Sequence, residues 1–343
     1  MTDYSALDLD QLQKLVADMK AAKQEDAAFA EATMALSGKY AEASLPERAL
    51  DAAVDGVSAL RELHNADPAQ YGVHLASALN NMSNRLSDLA RDDEARSAGD
   101  EAVELGRAAV EHAPAEARLV LISALMNQSG RSWRAGQSLR AIEELGTGVD
   151  IFRQGGEALY SFLDFMVDVL HKNAMALAEG NLWEEALAVR RMVGQLFPED
   201  QIPLAVLHLQ ALTMQQAAAA KCREGFFTEA LPLAEDATNL ARDLAETAPE
   251  QYALFLAQSL AALAGRLHEA GAHELALEPA VEAVGSLQEL VKVDPAGALE
   301  PLVPTLDTFI SILNVLGHEQ QAQTIKGERD KLAQALELMQ GSA

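Results

Sequence analysis

The sequence predicts an all-α solenoid, and three observations predict it. Alanines recur at a near-constant spacing through the 343 residues. Hydrophobic residues make up 49% of the chain but aromatics only 5%, so burial falls to Ala and Leu, both strong helix formers. Glycines and prolines then fall at fixed offsets from the alanines, where helices must end and begin.

The recurring positions are Ala49, Ala95, Ala141, Ala186, Ala230, Ala276 and Ala322, spaced 46, 46, 45, 44, 46 and 46 residues apart. Five residues before them stand Gly136, Gly225, Gly271 and Gly317, with Gly180 displaced by one and Ser44 and Ala90 in the first two units. Glycine there admits the left-handed conformation that closes a helix. Twelve residues before the alanine the chain keeps small side chains: Ser37, Ser83, Ser129, Ala174, Ala218 and Ala264, with Ile310 the exception. Seven residues after it are Gly56, Ala102, Gly148, Ala237 and Ala283, with Val193 larger. Small residues at two such positions let helix axes cross closely. Pro68, Pro114, Pro249 and Pro295 follow nineteen residues after the alanine and fit the first turn of a new helix. Between these breaks apolar residues keep helical spacing, as in Leu75, Leu79, Met82, Leu86 and in Leu256, Leu260, Leu263, Leu267.

Each unit therefore reads as two helices joined by a tight turn. A helix over about 8–22 has no partner of its own and makes residues 1–26 an N-terminal cap. Residues 27–343 form the array, with pairs over about 27–65, 68–113, 115–154, 157–197, 201–248, 250–294 and 296–339. Length alone suggests about two domains. The repeat replaces that with one stack of about seven pairs, each completed by its neighbours. The breaks between 154 and 203 are irregular, where a change of curvature is expected.

Ser83–Ala95–Ala102, Ala218–Ala230–Ala237 and Ala264–Ala276–Ala283 reproduce the small-residue spacing of the tetratricopeptide repeat family, which the sequence resembles over about residues 27–340. The 46-residue unit is longer than the familiar 34-residue one. It is similar to the extended repeats of kinesin light chain and to bacterial arrays with stretches like Leu79-Asn80-Asn81-Met82-Ser83-Asn84-Arg85-Leu86. Ser132 and Lys221 depart from the family's pattern by occupying a slot that is usually large and apolar. The resemblance implies a right-handed superhelix whose first helices line a concave groove. It also implies a non-enzymatic scaffold or adaptor that binds a peptide or protein segment there.

On that resemblance the groove positions are Asn80, Asn84, Ser87 and Asp88, then Met126, Gly130, Trp133 and Arg134. His171, Met175, Ala178 and Glu179 follow, then Gln215, Ala219, Cys222 and Arg223, with Asn81, Asn127, Lys172 and Gln216 adjacent. The candidate binding residues are Asn80, Asn81, Asn84, Asn127, Trp133, Arg134, His171, Lys172, Gln215 and Gln216. Side-chain amides both donate and accept, so a row of them can hold an extended main chain whatever its sequence. Trp133 offers an apolar anchor of the kind enriched at binding hot spots. A carboxylate clamp is not expected, because Asn80, Ser123 and Ser77 stand where that clamp carries basic residues.

Charge narrows the partners. Twenty-six bases against 52 acids leave a formal charge of −26, which opposes the phosphate contacts of a nucleic-acid binder and disfavours anionic membranes. No run of apolar residues reaches membrane-spanning length, and MTDYSALDLDQLQKL has no basic-then-apolar leader, so a cytoplasmic protein without membrane insertion is expected. The single cysteine, Cys222, permits no internal disulfide. His268 and His273 are five apart, off the i, i+4 spacing of a helical zinc site. No catalytic, cofactor or metal residues are expected.

Glu42, Asp88, Arg134, Glu179, Arg223 and Glu269 form one column in which sign alternates from Asp88 onward, predicting ion pairs between adjacent repeats. The alternative function is a structural or regulatory homo-oligomer, associating through the solenoid ends or an acidic outer surface.

Overall fold

In a computed structural model, residues 4–24 and 26–340 are described. Among them lie fifteen α-helices, three short 3-10 segments and no strand. The chain divides into two compact units at Asn173/Ala174.

The first unit holds α1 (Leu9–Ala21), α2 (Ala27–Glu42), α3 (Pro46–Ala66), α4 (Pro68–Asp88), α5 (Asp92–Ala109), α6 (Pro114–Arg134) and α7 (Ser138–Gly155). A 3-10 segment, Gly156–Phe162, leads into α8 (Leu163–Glu179), within which the boundary falls. The second unit continues with α9 (Trp183–Gln195), α10 (Leu204–Arg223), α11 (Phe227–Thr247), α12 (Pro249–Glu269), α13 (His273–Val291), α14 (Pro295–Val315) and α15 (Glu319–Gln340). From α1 to α7 and from α9 to α15 each helix packs on the next in sequence, the pattern of a helical solenoid. First helices also pack on first helices: α4 on α6, α10 on α12, and α12 on α14.

The starts follow from local chemistry. Asp8 caps α1 in a reciprocal box, accepting from Gln11 N at 2.8 Å while Gln11 Oε1 accepts from Asp8 N at 3.0 Å. Pro68, Pro114, Pro249 and Pro295 open α4, α6, α12 and α14. Asp67 and Asp294 add side-chain caps at 3.0 Å to Gln70 N and Gly297 N.

The turn inside each pair has one conformation throughout. Gly136, Gly225, Gly271 and Gly317 have φ of 71, 86, 80 and 80°. Ser44 and Ala90 adopt the same left-handed state at 56°. In the fourth pair Asn181, at 59°, takes it and not the neighbouring Gly180. The register is therefore unbroken there, because Asn tolerates this region better than most non-glycine residues.

The alanine column is the packing axis. Ala49, Ala95, Ala141, Ala186, Ala230 and Ala276 are completely buried, and Ala322 nearly so. The small residues twelve positions earlier face them: Ser37 Oγ donates to the Ala49 carbonyl at 2.7 Å, and Ser83 Oγ to that of Ala95. At Gly56 an added Cβ would lie 2.9 Å from Met34 Sδ, and at Gly148 it would run into Met126 Cε, so these glycines admit methionine across the crossing.

α1 buries Leu12, Val16 and Met19 and packs on α2. At the other end of the chain, α14 alone among the described helices is long and apolar enough by composition to cross a membrane. It lies between α13 and α15, with Leu302, Leu306, Ile312 and Leu313 buried.

Candidate peptide-binding surface

The first unit brings three of the sequence-predicted residues together between α4 and α6. Asn127 Nδ2 donates to Asn80 Oδ1 at 3.0 Å. Asn84 Oδ1 accepts from Arg131 Nη2 at 2.6 Å. Asn80 is buried, Asn84 and Asn127 are half-buried, and Asn81 is exposed with no side-chain partner. The amide row is thus half-committed: its inner ends are tied into the protein, and its outer ends are not.

Arg131, which sequence reasoning passed over, organises this wall. It is 4% exposed, yet its guanidinium reaches Ser87 Oγ through Nε at 3.0 Å and Gln128 Oε1 through Nη1 at 3.1 Å, besides Asn84. Burial, reinforced by the charge of Arg134, brings its pKa down to about 10, against the pull of Glu144, Asp92 and Asp100. It remains a cation at neutral pH, stabilised by neutral acceptors.

The network extends to the second helices. Gln128 Nε2 donates to the Arg96 carbonyl at 3.1 Å and to Asp100 Oδ1 at 2.7 Å. Arg140 bridges Asp100 and Glu144, the latter at 2.8 Å, and Glu144 Oε2 accepts from Ser132 Oγ at 2.8 Å. The signal in the sequence was Ser132, a hydroxyl in an apolar repeat slot. Lys221, the other departure, behaves alike: it reaches Glu184 at 2.8 Å and Glu229 at 2.5 Å. Those two carboxylates push its pKa up to about 12.

Trp133 is half-buried, and its indole N–H is buried without an acceptor. Arg134 is exposed and sits 3.9 Å from Asp92. On α8, His171 is half-buried, and exposed Lys172 pairs with Asp168 at 2.6 Å. In the second unit Gln215 Nε2 donates to Ser259 Oγ at 2.5 Å, while Gln216 is exposed.

The expected charge ladder is replaced by other pairs. Asp88 pairs with Arg85 at 3.5 Å, Glu42 with Lys39 at 3.1 Å and Glu269 with Arg266 at 2.9 Å, each one turn away on its own helix. A partner on the same helix is simply nearer than one on the next repeat. Ion pairs between repeats involve the second helices instead: Arg61–Glu101 at 2.6 Å, Arg140–Asp100 and Arg242–Glu282 at 2.5 Å join second helices to one another, while Arg134 and Lys221 reach Asp92 and Glu184 on second helices from first ones.

Cys222 is buried, and burial raises its thiol pKa, with Glu269 adding to and Arg266 opposing the shift. His268 and His273 face each other through their Nδ1 atoms at 2.9 Å, and His268 Nε2 meets Ser311 Oγ at 2.9 Å. Among the described residues no group of three or more His, Cys, Asp or Glu could hold a metal ion.

The chain is an array of helix hairpins, with consecutive helices packed on one another from α1 to α7 and from α9 to α15. No family model matches it, and no curated protein matches it in sequence. Several solved structures are similar. One is a circular tandem repeat protein with novel repeat topology, 14% identical, covering 96% of this chain and 89% of that one, TM-score 0.47. Another is BtubC (BKLC) from P. vanneervenii, 13% identical, covering 71% of this chain and 93% of that one, TM-score 0.42. A third is the TPR2AB domain of yeast Sti1 in its pHSP90 complex, 16% identical, covering 89% of this chain and 99% of that one, TM-score 0.35.

Proposed function

We propose that this protein is a non-enzymatic interaction scaffold that holds an extended peptide or protein segment against the first-helix wall of its N-terminal unit. The observation that carries the reading is the amide row on α4 and α6. Asn81 is uncommitted, and Asn84 and Asn127 keep one end of each amide accessible while the other is fixed from behind. Fixed amides lose little entropy on binding, which favours preorganised recognition. Half-buried Trp133 supplies apolar area beside them.

The test is a titration with a 12-residue peptide selected from a random displayed library on the wild-type protein. The Asn81→Ala/Asn127→Ala/Trp133→Ala protein should keep its fold and lose at least about a hundredfold in affinity, the sum of several contacts of roughly 1 kcal/mol each. Undiminished affinity sinks the assignment.

A second reading has its own observation. In the C-terminal unit a cleft of about 770 Å³ is lined by Leu277, Val281, Phe309, Leu313 and Ile325, and Val281 is half-exposed. Such a cleft suits self-association through that end. A solution mass that stays monomeric over a wide concentration range rejects it.

A further inference from the structure

The amides of the wall are chemically two-faced, and which face they present decides what they recognise. A guanidinium has only donors. The side chain of Arg131 lies behind Asn84 and Ser87, which are three residues apart on one face of α4, and donates to both oxygens. Asn84 must therefore turn Oδ1 inward and Nδ2 outward. That Nδ2 has no partner in the chain and is not buried. Ser87 Oγ, already accepting from Arg131 Nε, keeps its hydroxyl proton for another acceptor.

We infer that Arg131 is a positioning residue that fixes Asn84 and Ser87 as outward donors, so that this stretch of the wall recognises acceptors: successive main-chain carbonyls of an extended, uncharged or basic peptide. The inference rests on the groove reading above and deepens it. A buried cation behind the amide also polarises its N–H groups, strengthening them as donors. Acidic ligands meet the same donors but face a chain of net charge −26, and half-buried Arg85 and exposed Arg134 are already paired with Asp88 and Asp92. Gln128 holds the guanidinium in register from the other side: its Oε1 accepts from Nη1, and its Nε2 is occupied by Arg96 O and Asp100.

Asn84→Asp separates positioning from binding. The carboxylate gives Arg131 a charged partner but has no N–H to turn outward. The variant should melt higher than both wild type and Asn84→Ala, while binding the library-selected 12-residue peptide about tenfold more weakly or worse. An Asn84→Asp protein that melts no higher than Asn84→Ala overturns the Arg131 contact, with no ligand involved. If it binds as wild type does while the Asn81/Asn127/Trp133 variant loses the peptide, the donor role is wrong and the groove reading survives. If both variants bind as wild type does, the groove reading falls and takes the inference with it.

Discussion

Gly99 offers the sharpest check on the buried polar network. It sits in the middle of α5, where alanine is ordinarily about 1 kcal/mol better than glycine. Here an added Cβ would lie 2.6 Å from Gln128 Cδ and 3.2 Å from its Cγ, and closer still to Oε1. Gln128 is 1% exposed and cannot swing away freely, because it is tied to Arg96 O, Asp100 and Arg131 at once. Displacing it forfeits two hydrogen bonds to charged groups, roughly 1.5–3 kcal/mol each when left unmade. Set against the helix gain, Gly99→Ala should destabilise by about 2–5 kcal/mol, or roughly 4–20 °C in melting temperature for a unit of this size. The control is Gly38→Ala in α2, where a Cβ meets nothing within 4 Å and the substitution should stabilise by up to about 1 kcal/mol. Chemical denaturation followed by circular dichroism reads both. A Gly99→Ala protein as stable as wild type would refute the packing described between α5 and α6.

Two further predictions use the turns and the histidine pair. Ala90 is held at a φ of 56°, a conformation that costs a residue with a Cβ about 1–2 kcal/mol, so Ala90→Gly should stabilise by about 1 kcal/mol in the same assay; a loss would contradict the left-handed register. Burial, then the charge of His273, lowers the pKa of His268 below 6.5, with Glu269 opposing. A base whose folded pKa is depressed contributes stability above its unfolded pKa and loses it as pH falls through the folded one. Acidification from pH 7.5 to 5.5 should therefore destabilise wild type more than His268→Gln, and equal losses would remove the histidine pair from the account.

Helix order was readable because each rule acts over a few residues: proline at a first turn, a left-handed residue at a close, alanine at a crossing. The same locality explains Asn181. A glycine one place away looked like a slipped register, but the conformation belongs to the position, and asparagine fills it. The site was less legible. Asn80, Asn84 and Asn127 all stand in the amide row that the sequence shows, yet the hydrogen-bonded end of Asn84 is fixed by Arg131, which shares no motif with it, while Asn80 and Asn127 bond each other. Nothing in spacing reveals that a guanidinium is buried behind an amide. The nearest sign was Ser132 in an apolar slot, a polar group that needs a partner there, and its hydroxyl donates to Glu144. The charge column failed because sign alternation says nothing about distance. Asp88, Glu42 and Glu269 each have a base three residues away on the same helix.

The most direct measurement is a crystal structure of the protein with the library-selected peptide. An extended peptide lying across α4 and α6, with a main-chain carbonyl within hydrogen-bond distance of Asn84 Nδ2 and Asn84 Oδ1 still on Arg131, is the predicted result. A peptide seated on the second helices or in the α13–α15 cleft, with the amide row unoccupied, would contradict the account.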